Sequence, residues 1–405
     1  MRVLVVNAGS SSLKLSVLEL PAGAGRAASV EPAAEDDGAG PAPPVAERHV
    51  EDWDGEDTGP VAELLADAGP VDAVGHRVVH GGVELQSAVL IDDEVVAQIE
   101  ALAPLAPLHQ ERSLAGITAL RGNEGHMWPS LPRSAGGAAP TAALDLPQVA
   151  CFDTAYHATI PEAAATYALP AVWRERWPLR RFGFHGLSHA YAARRAADLV
   201  AGAAGGLRVV TCHLGAGASL CASLGGRSVD TTMGFTPLDG LVMATRSGSV
   251  DPGLVLWLIT DAGLAPDAVR TALEHDSGLM GLAGTSDMRE VVAAGGLALD
   301  VYVHVLVRQV AAMTAALGGL DALVFTGGVG EHSPDVRALA AERLAYLGVA
   351  FDESANRADP DGDAPDRAIS APGTPVTTLV VEAREDIEIA RQTRAALSTR
   401  ARDVD

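Results

Sequence analysis

The chain has 405 residues, enough for two or three domains that each bury a full core, and its composition, 48% hydrophobic and 20% charged, is that of a globular protein. Acidic residues outnumber basic ones 52 to 29, a net charge of −23, so no nucleic-acid or membrane partner is expected and an anionic ligand would need local cations. Three cysteines, Cys151, Cys212 and Cys221, make no disulfide framework and fit small buried hydrophobes in a cytoplasmic protein. The apolar residues before Asn7 are too few for a signal peptide, and no run is expected to reach the roughly 18 residues of a membrane helix.

In chain order, residues 3–6 read as an apolar strand, 7–12 (NAGSSS) as a small polar turn, and Leu13, Leu15 and Val17 alternate with Lys14 and Ser16 as a second strand. Residues 21–60, rich in Ala, Gly, Pro, Asp and Glu, read as a loop and edge insertion, and 121–145 as a surface excursion. Between them VDAVGHRVVHGG, 71–82, predicts a buried strand entering a glycine-closed turn. IDDEVVAQIEALAPLAPLH, 91–109, predicts a capped amphipathic helix that stops near Pro104 and Pro107. A strand in 146–161 and a helix over 188–203 lead to 207–252, which repeats the opening pattern: Val209 and Val210, a small-residue turn at 215–219, then Leu220, Cys221 and Ala222. Helices and turns fill 253–317, with a long helix over 298–317. DALVFTGGVGEHS, 321–333, predicts a buried strand delivered into another glycine-rich turn, followed by a strand at 376–381 and a helix from Glu385 towards Ser398.

Three strand-to-glycine turns, at 7–12, 215–219 and 327–330, are expected to converge on one nucleotide, because a turn without Cβ atoms lets a phosphate reach backbone N–H groups. None fits the P-loop pattern G-x-x-x-x-G-K-[ST], and no G-x-G-x-x-G follows the first strand, which disfavours P-loop and dinucleotide enzymes. The same hairpin at the start and the middle of the chain predicts two lobes.

The blocks NAGSSSLK (7–14), GHRVVHGG (75–82), FDTAYH (152–157), FGFHGLSH (182–189), GFTPLDGLVMATRSGSVDP (234–252) and FTGGVGEHS (325–333) resemble, in order and across nearly the whole chain, the acetate kinase family. The resemblance implies an α/β fold of two actin-like, ribonuclease H-like lobes with a duplicated βββαβα-type core and a cleft, divided as 1–149 plus 384–405 and 150–383. It implies reversible transfer of the ATP γ-phosphoryl group to acetate, ATP/ADP with Mg²⁺ (Mn²⁺ able to substitute), and a homodimer. The alternatives are a propionate or butyrate kinase, since one methylene in an apolar pocket is worth only about 1–3 kcal/mol, and, from another class, a non-catalytic Hsp70- or actin-like ATP-binding protein.

Transfer to a carboxylate starts from an ionised nucleophile, so positioning and charge neutralisation matter more than a base. Arg77 can fork onto a carboxylate, Arg246 onto phosphoryl oxygens, and His185 can donate to an equatorial oxygen. By resemblance Arg246 and His185 stabilise the transition state, Arg77 and Arg246 flank the acyl substrate, and Asp153 is the essential acid, expected beside two arginines and orienting an arginine or the metal's waters. Asn7 and Glu385 match the magnesium positions. Ser10, Ser12 and Lys14 would meet phosphates, and His213, Leu214, Gly215, Ala216, Gly217, Asp287, Met288, Arg289, Gly328, Val329, Gly330, Glu331 and His332 the nucleotide. Val79, Leu108, Phe184 and Pro237 map to the acyl pocket. Outside that context an arginine is a solvated charge, a histidine a core group and Glu385 an ordinary first-turn Glu. The chain departs from the family pattern at Ala216, His332, Arg384 and Gln110-Glu111, the last of which could shift the pocket wall carrying Leu108.

Overall fold

The computed structural model describes residues 1–9, 12–21, 43–51, 53, 57–121, 146–200, 206–358 and 365–403, with side chains at 107–109 and 401–403 excepted. Ser10 and the 121–145 excursion after Arg121 lie outside the described residues, as does most of 21–60. The described chain divides into two compact units, one made by the residues up to Ala155 and from Glu385 onwards, the other by Tyr156–Arg384.

The first unit is built on a six-stranded sheet of β1 (Arg2–Ala8), β2 (Ser12–Glu19), β3 (Ala46–Glu51), β4 (Ala73–Val78), β5 (Val89–Leu90) and β6 (Gln148–Phe152), in the order β3-β2-β1-β4-β6-β5. β1 to β3 form an antiparallel meander, and β4 and β6 then add in parallel. Val3, Leu4, Val5 and Val6 are all buried, the mark of a central strand covered on both faces. Leu4 and Val6 pack with Leu13, Leu15, Val61, Leu64 and Leu120. Gly75 in β4 lies directly against Ile389 and Thr393 of the C-terminal helix Glu385–Asp403, leaving no room for a Cβ.

The second unit carries β7 (Arg208–Leu214), β8 (Ala218–Leu224), β9 (Arg227–Thr231), β10 (Ala322–Thr326), β11 (Arg367–Ala368) and β12 (Thr377–Val380), in the order β11-β12-β10-β7-β8-β9. Read from the other edge, this repeats the first sheet strand for strand: an antiparallel meander, two parallel additions and a short antiparallel edge. The duplication suggested by the two hairpins therefore extends through the whole sheet.

The sequence reading does not place β3, β5, β9 and β11, and four further features differ from it. β6 pairs with β4, so the first unit continues to Ala155 and does not end at 149. Pro107 does not stop a helix but starts one: the helix Asp93–Ala101, capped by Asp92, ends before a short 3₁₀ turn, and a new helix, Pro107–Arg121, begins with proline where no N–H partner is needed. The glycine-rich stretch after β10 is itself helical, Gly327–His332. Finally, Leu297–Leu317 is long and apolar enough to cross a membrane by length and composition, but Ala298, Tyr302, Val303, Leu306 and Val310 are buried and it packs on β8 as a core helix.

Candidate active site

In the first unit, the C-terminal ends of β1 and β4 and the residue after β6 deliver Asn7, Arg77 and Asp153 to one place, and the first turn of the C-terminal helix adds Glu385. Arg77 donates to Asp153 through Nε (3.2 and 3.1 Å to the two oxygens) and Nη2 (2.7 Å), and through Nη1 to Asn7 Oδ1 at 3.1 Å. The same Nη1 lies 3.4 Å from Glu385 Oε2, which accepts from Asn7 Nδ2 at 2.9 Å. Burial pushes the Asp153 carboxyl up, to about 6, against the pull of Arg77. For Arg77, burial is outweighed by the charges of Asp153 and Glu385, so the guanidinium is held above its ordinary value. Asp153 thus takes the bidentate edge of Arg77 that the sequence reading assigns to a substrate carboxylate, and it fixes the plane of the guanidinium.

Lys14, opposite Asn7 in the β1–β2 register, is exposed on β2, and Ser12 accepts at its carbonyl from Gly9 N at 2.7 Å. For a divalent cation the polar groups here are the Asn7 amide and the Asp153 and Glu385 carboxylates around a guanidinium, and among the described residues no group of three His, Cys, Asp or Glu could enclose an ion. That fits Mg²⁺, which keeps several waters and takes much of its charge partner from substrate phosphates.

Val79, just past β4, is buried. The turn behind it is clamped by Gln110, whose side chain accepts from His80 N at 3.2 Å and donates to His80 O at 2.9 Å, while Gly81 N donates to Thr154 Oγ1. Gln110 is fully buried, so the departure from the family pattern at this position acts as a brace. Leu108 lies in the same helix, its side chain outside the described residues. Phe184, buried, and Pro237 belong to the second unit.

In the second unit the β7–β8 turn closes with Gly215 N donating to Gly217 O at 3.0 Å. A Cβ on Gly217 would lie 3.3 Å from His185 Nε2 and Cε1 and 3.6 Å from Arg246 Nη1, so the missing side chain is the point on which both groups converge. His185 caps the helix Gly186–Leu199 with φ 56°, the one non-glycine with positive φ among the described residues. The left-handed geometry costs energy and is held by its surroundings: Gly183 beside it lies hard against His157 and Thr231, and Phe184 O is hydrogen-bonded to His157 Nε2 at 3.0 Å. His185 stacks on His213, ring centroids 4.4 Å apart, and His213 is hydrogen-bonded to Ser188 at 2.8 Å. Arg246 donates to Pro237 O at 3.2 Å, and burial lowers its pKa against the opposing charge of Glu274. Its loop is pinned by backbone bonds to Leu279 and Ser277.

β10 lies next to β7, with Thr326 opposite His213, and Gly327 sits against the Leu214 backbone. Two of the three glycine turns are thus neighbours in this unit, while the third, at 7–12, belongs to the other. Gly328 faces open space, Val329 is partly buried and Gly330 is packed on Phe325. Glu331 accepts from Ala383 N at 3.0 Å, with its carboxyl raised by burial, and His332 is hydrogen-bonded to Gly328 O. Asp287 caps the helix Met288–Ala294 and pairs with the exposed Arg289, above a buried Met288. Arg384 acts on Tyr191 within the second unit. All three cysteines are buried free thiols. Ser188, His189, Ser219 and Gln110 were not among the predicted site residues, although the two histidines of FHGLSH, one turn apart, hint at a shared face.

The sequence profile of the Acetokinase family matches residues 60–391. The chain is 44% identical to the acetate kinase of Deinococcus deserti over 420 residues, covering all of both chains. Among solved structures it is similar to an acetate kinase from Porphyromonas gingivalis, TM-score 0.79 at 32% identity, covering 98% of this chain and 99% of that one. A propionate kinase from Francisella tularensis superposes with TM-score 0.77 at 30% identity, covering 97% and 99%.

Proposed function

This chain belongs to the acetokinase family, and from that premise we propose that it moves the γ-phosphoryl group of ATP directly and in line onto acetate, giving acetyl phosphate and ADP. The observation that carries the reading is the convergence of His185 Nε2 and Arg246 Nη1 on the open position at Gly217. A cation and a ring nitrogen aimed at one spot beside a backbone turn suit a transferring phosphoryl group whose charge spreads over three equatorial oxygens. Arg77 receives the acyl carboxylate, and Asp153, hydrogen-bonded to its fork, orients it without acting as a base. In the first unit Val79 and Leu108 serve the acyl methyl group, and in the second unit Phe184 and Pro237 do. The backbone from His213 to Gly217, with Ser10, Ser12 and Lys14, meets phosphates; 287–289 and 328–332 meet the rest of the nucleotide. Ala216 keeps its backbone N–H, so that contact needs no side-chain amide.

Asn7 and Glu385 would hold Mg²⁺, which would supply charge neutralisation at the phosphates. The enzyme works as a homodimer: the helix Pro252–Thr260 has no buried residue and exposes Leu254, Leu256 and Trp257, an apolar face that a second copy would cover. Free buried thiols suit a reducing cytoplasm. A propionate kinase remains the second reading because one such enzyme superposes almost as well. Hydroxamate trapping of acyl phosphate with acetate, propionate and butyrate ranks the acids; absence of product from all of them refutes the kinase reading.

A further inference from the structure

Beneath the β7–β8 turn runs a line of hydrogen bonds that ends on His185. Thr211 Oγ1 is 2.5 Å from His189 Nδ1, His189 Nε2 is 2.8 Å from Ser219 Oγ, and Ser219 Oγ is 3.0 Å from His185 Nδ1. Thr211, His189 and Ser219 are each fully or almost fully buried, so no bulk water reorders the protons. Each hydroxyl carries one proton, and this sets the sense of the chain. Thr211 has a second acceptor, Cys221 O, but at 3.5 Å, far longer than its bond to His189. With the 3.5 Å contact discounted as too long, its proton is placed on the 2.5 Å contact to His189 Nδ1. His189 must then donate from Nε2 to Ser219, and Ser219 donates to His185 Nδ1. His185 is left carrying its proton on Nε2, the atom on the Gly217 side.

The opposite sense would put a lone pair at Nε2, facing phosphoryl oxygens with a like partial charge. Burial also holds His189 well below the ordinary imidazole value, so it serves as a neutral link.

We propose that Thr211, His189 and Ser219 are positioning residues that fix the Nε2–H tautomer of His185 and so make it a hydrogen-bond donor to the transferring phosphoryl group. The inference rests on the reading of His185 given above and adds how that donor is prepared. It requires no bond to break: the protons stay where the chain sets them, and the same arrangement serves both directions of transfer.

The test uses full-length protein labelled with ¹⁵N in its histidine rings, the His185 signals being assigned by their loss in His185→Gln. In wild type, His185 is expected to show a protonated Nε2 and an unprotonated Nδ1. Thr211→Val keeps the shape of a buried strand residue and removes the first proton; it should move the His185 signals towards a tautomer mixture and lower kcat at least about tenfold with little change in the KM for ATP. Thr211→Ser, which restores the hydroxyl, should restore both. Unchanged His185 signals in folded Thr211→Val overturn the relay, as does a wild-type His185 protonated on Nδ1 or on both nitrogens. A tautomer change with kcat intact would leave the relay standing and remove His185 from the phosphoryl group, which separates failure of this inference from failure of the reading beneath it.

Discussion

Arg77, part-buried, forks onto the buried Asp153 through three donor–acceptor contacts of 2.7 to 3.2 Å between a β4 side chain and the residue after β6. Removing the acid strands a guanidinium whose Nη1 still faces Asn7 and Glu385. Asp153→Ala should lose about 1–3 kcal/mol of stability by urea unfolding, the range for a polar group that loses its hydrogen-bond partner while Glu385 still faces the charge. Asp153→Asn keeps an acceptor and should lose less, while raising the KM for acetate because Arg77 is no longer held in plane. Equal stability of Asp153→Ala and wild type would show that the fork does not hold the first unit together.

Gly217→Ala tests the convergence point. The backbone there is unstrained for alanine, but the new methyl would press on His185 at 3.3 Å and fill the space beside Arg246 Nη1 at 3.6 Å. Stability should stay within about 1 kcal/mol of wild type while kcat falls by about tenfold or more. A wild-type kcat would mean that the two side chains do not act over this turn.

Arg246→Ala should lower kcat far more than it weakens ATP binding, because a contact made in the transition state is lost from kcat and not from ground-state affinity. Steady-state kinetics beside ATP titration calorimetry separate the two effects. A variant with weak ATP binding and intact kcat would move Arg246 to ground-state nucleotide recognition.

Val79→Ala should enlarge the space for the acyl methyl group and lower the KM for propionate relative to acetate, by a factor within the span that about 1–3 kcal/mol per methylene allows. An unmoved ratio of the two KM values would take Val79 out of the pocket.

Acid lability follows from neutral buried histidines. Burial lowers His76 and His157 to about 4, against hydrogen bonds that they give to Gln148 Oε1 and Phe184 O and that work in the other direction, and burial lowers His80 to about 4. A depressed folded-state value gives stability that is full above the ordinary value of about 6.5 and is lost as pH falls towards 4, because the unfolded chain takes up protons the folded one refuses. Asp153, with its raised value, works the other way: its stabilising share is full below about 3.8 and is lost as pH rises through about 6. Four lowered histidines, His189 included, stand against three raised carboxyls, Asp153, Glu331 and Asp230, so the urea midpoint should fall between pH 6.5 and 4, and His76→Gln should flatten that slope. A midpoint unchanged over this interval would contradict neutral burial.

The sequence by itself determined β1, β2, β4, β6, β7, β8, β10 and β12, the duplicated hairpin and the family blocks, but not the edge strands β3, β5, β9 and β11. These signals are local: alternation in 13–17, apolar runs at 3–6 and 322–325, and residue types at fixed spacing need only neighbours along the chain. It misplaced the helix at Pro107 because a proline that ends one helix and a proline that starts the next look alike until the intervening turn is seen. What only the tertiary structure decided were contacts between residues far apart in sequence. Glu385 meets Asn7 and Arg77 because the C-terminal helix packs back onto the first sheet, and Gln110 braces His80 across the turn. The tautomer chain to His185 depends on register, since Thr211 on β7 faces Cys221 on β8, which puts Ser219 opposite His213 and within reach of both His189 and His185. A shift of one residue in that pairing would turn Ser219 to the other face of the sheet, and no local pattern in the sequence encodes the difference.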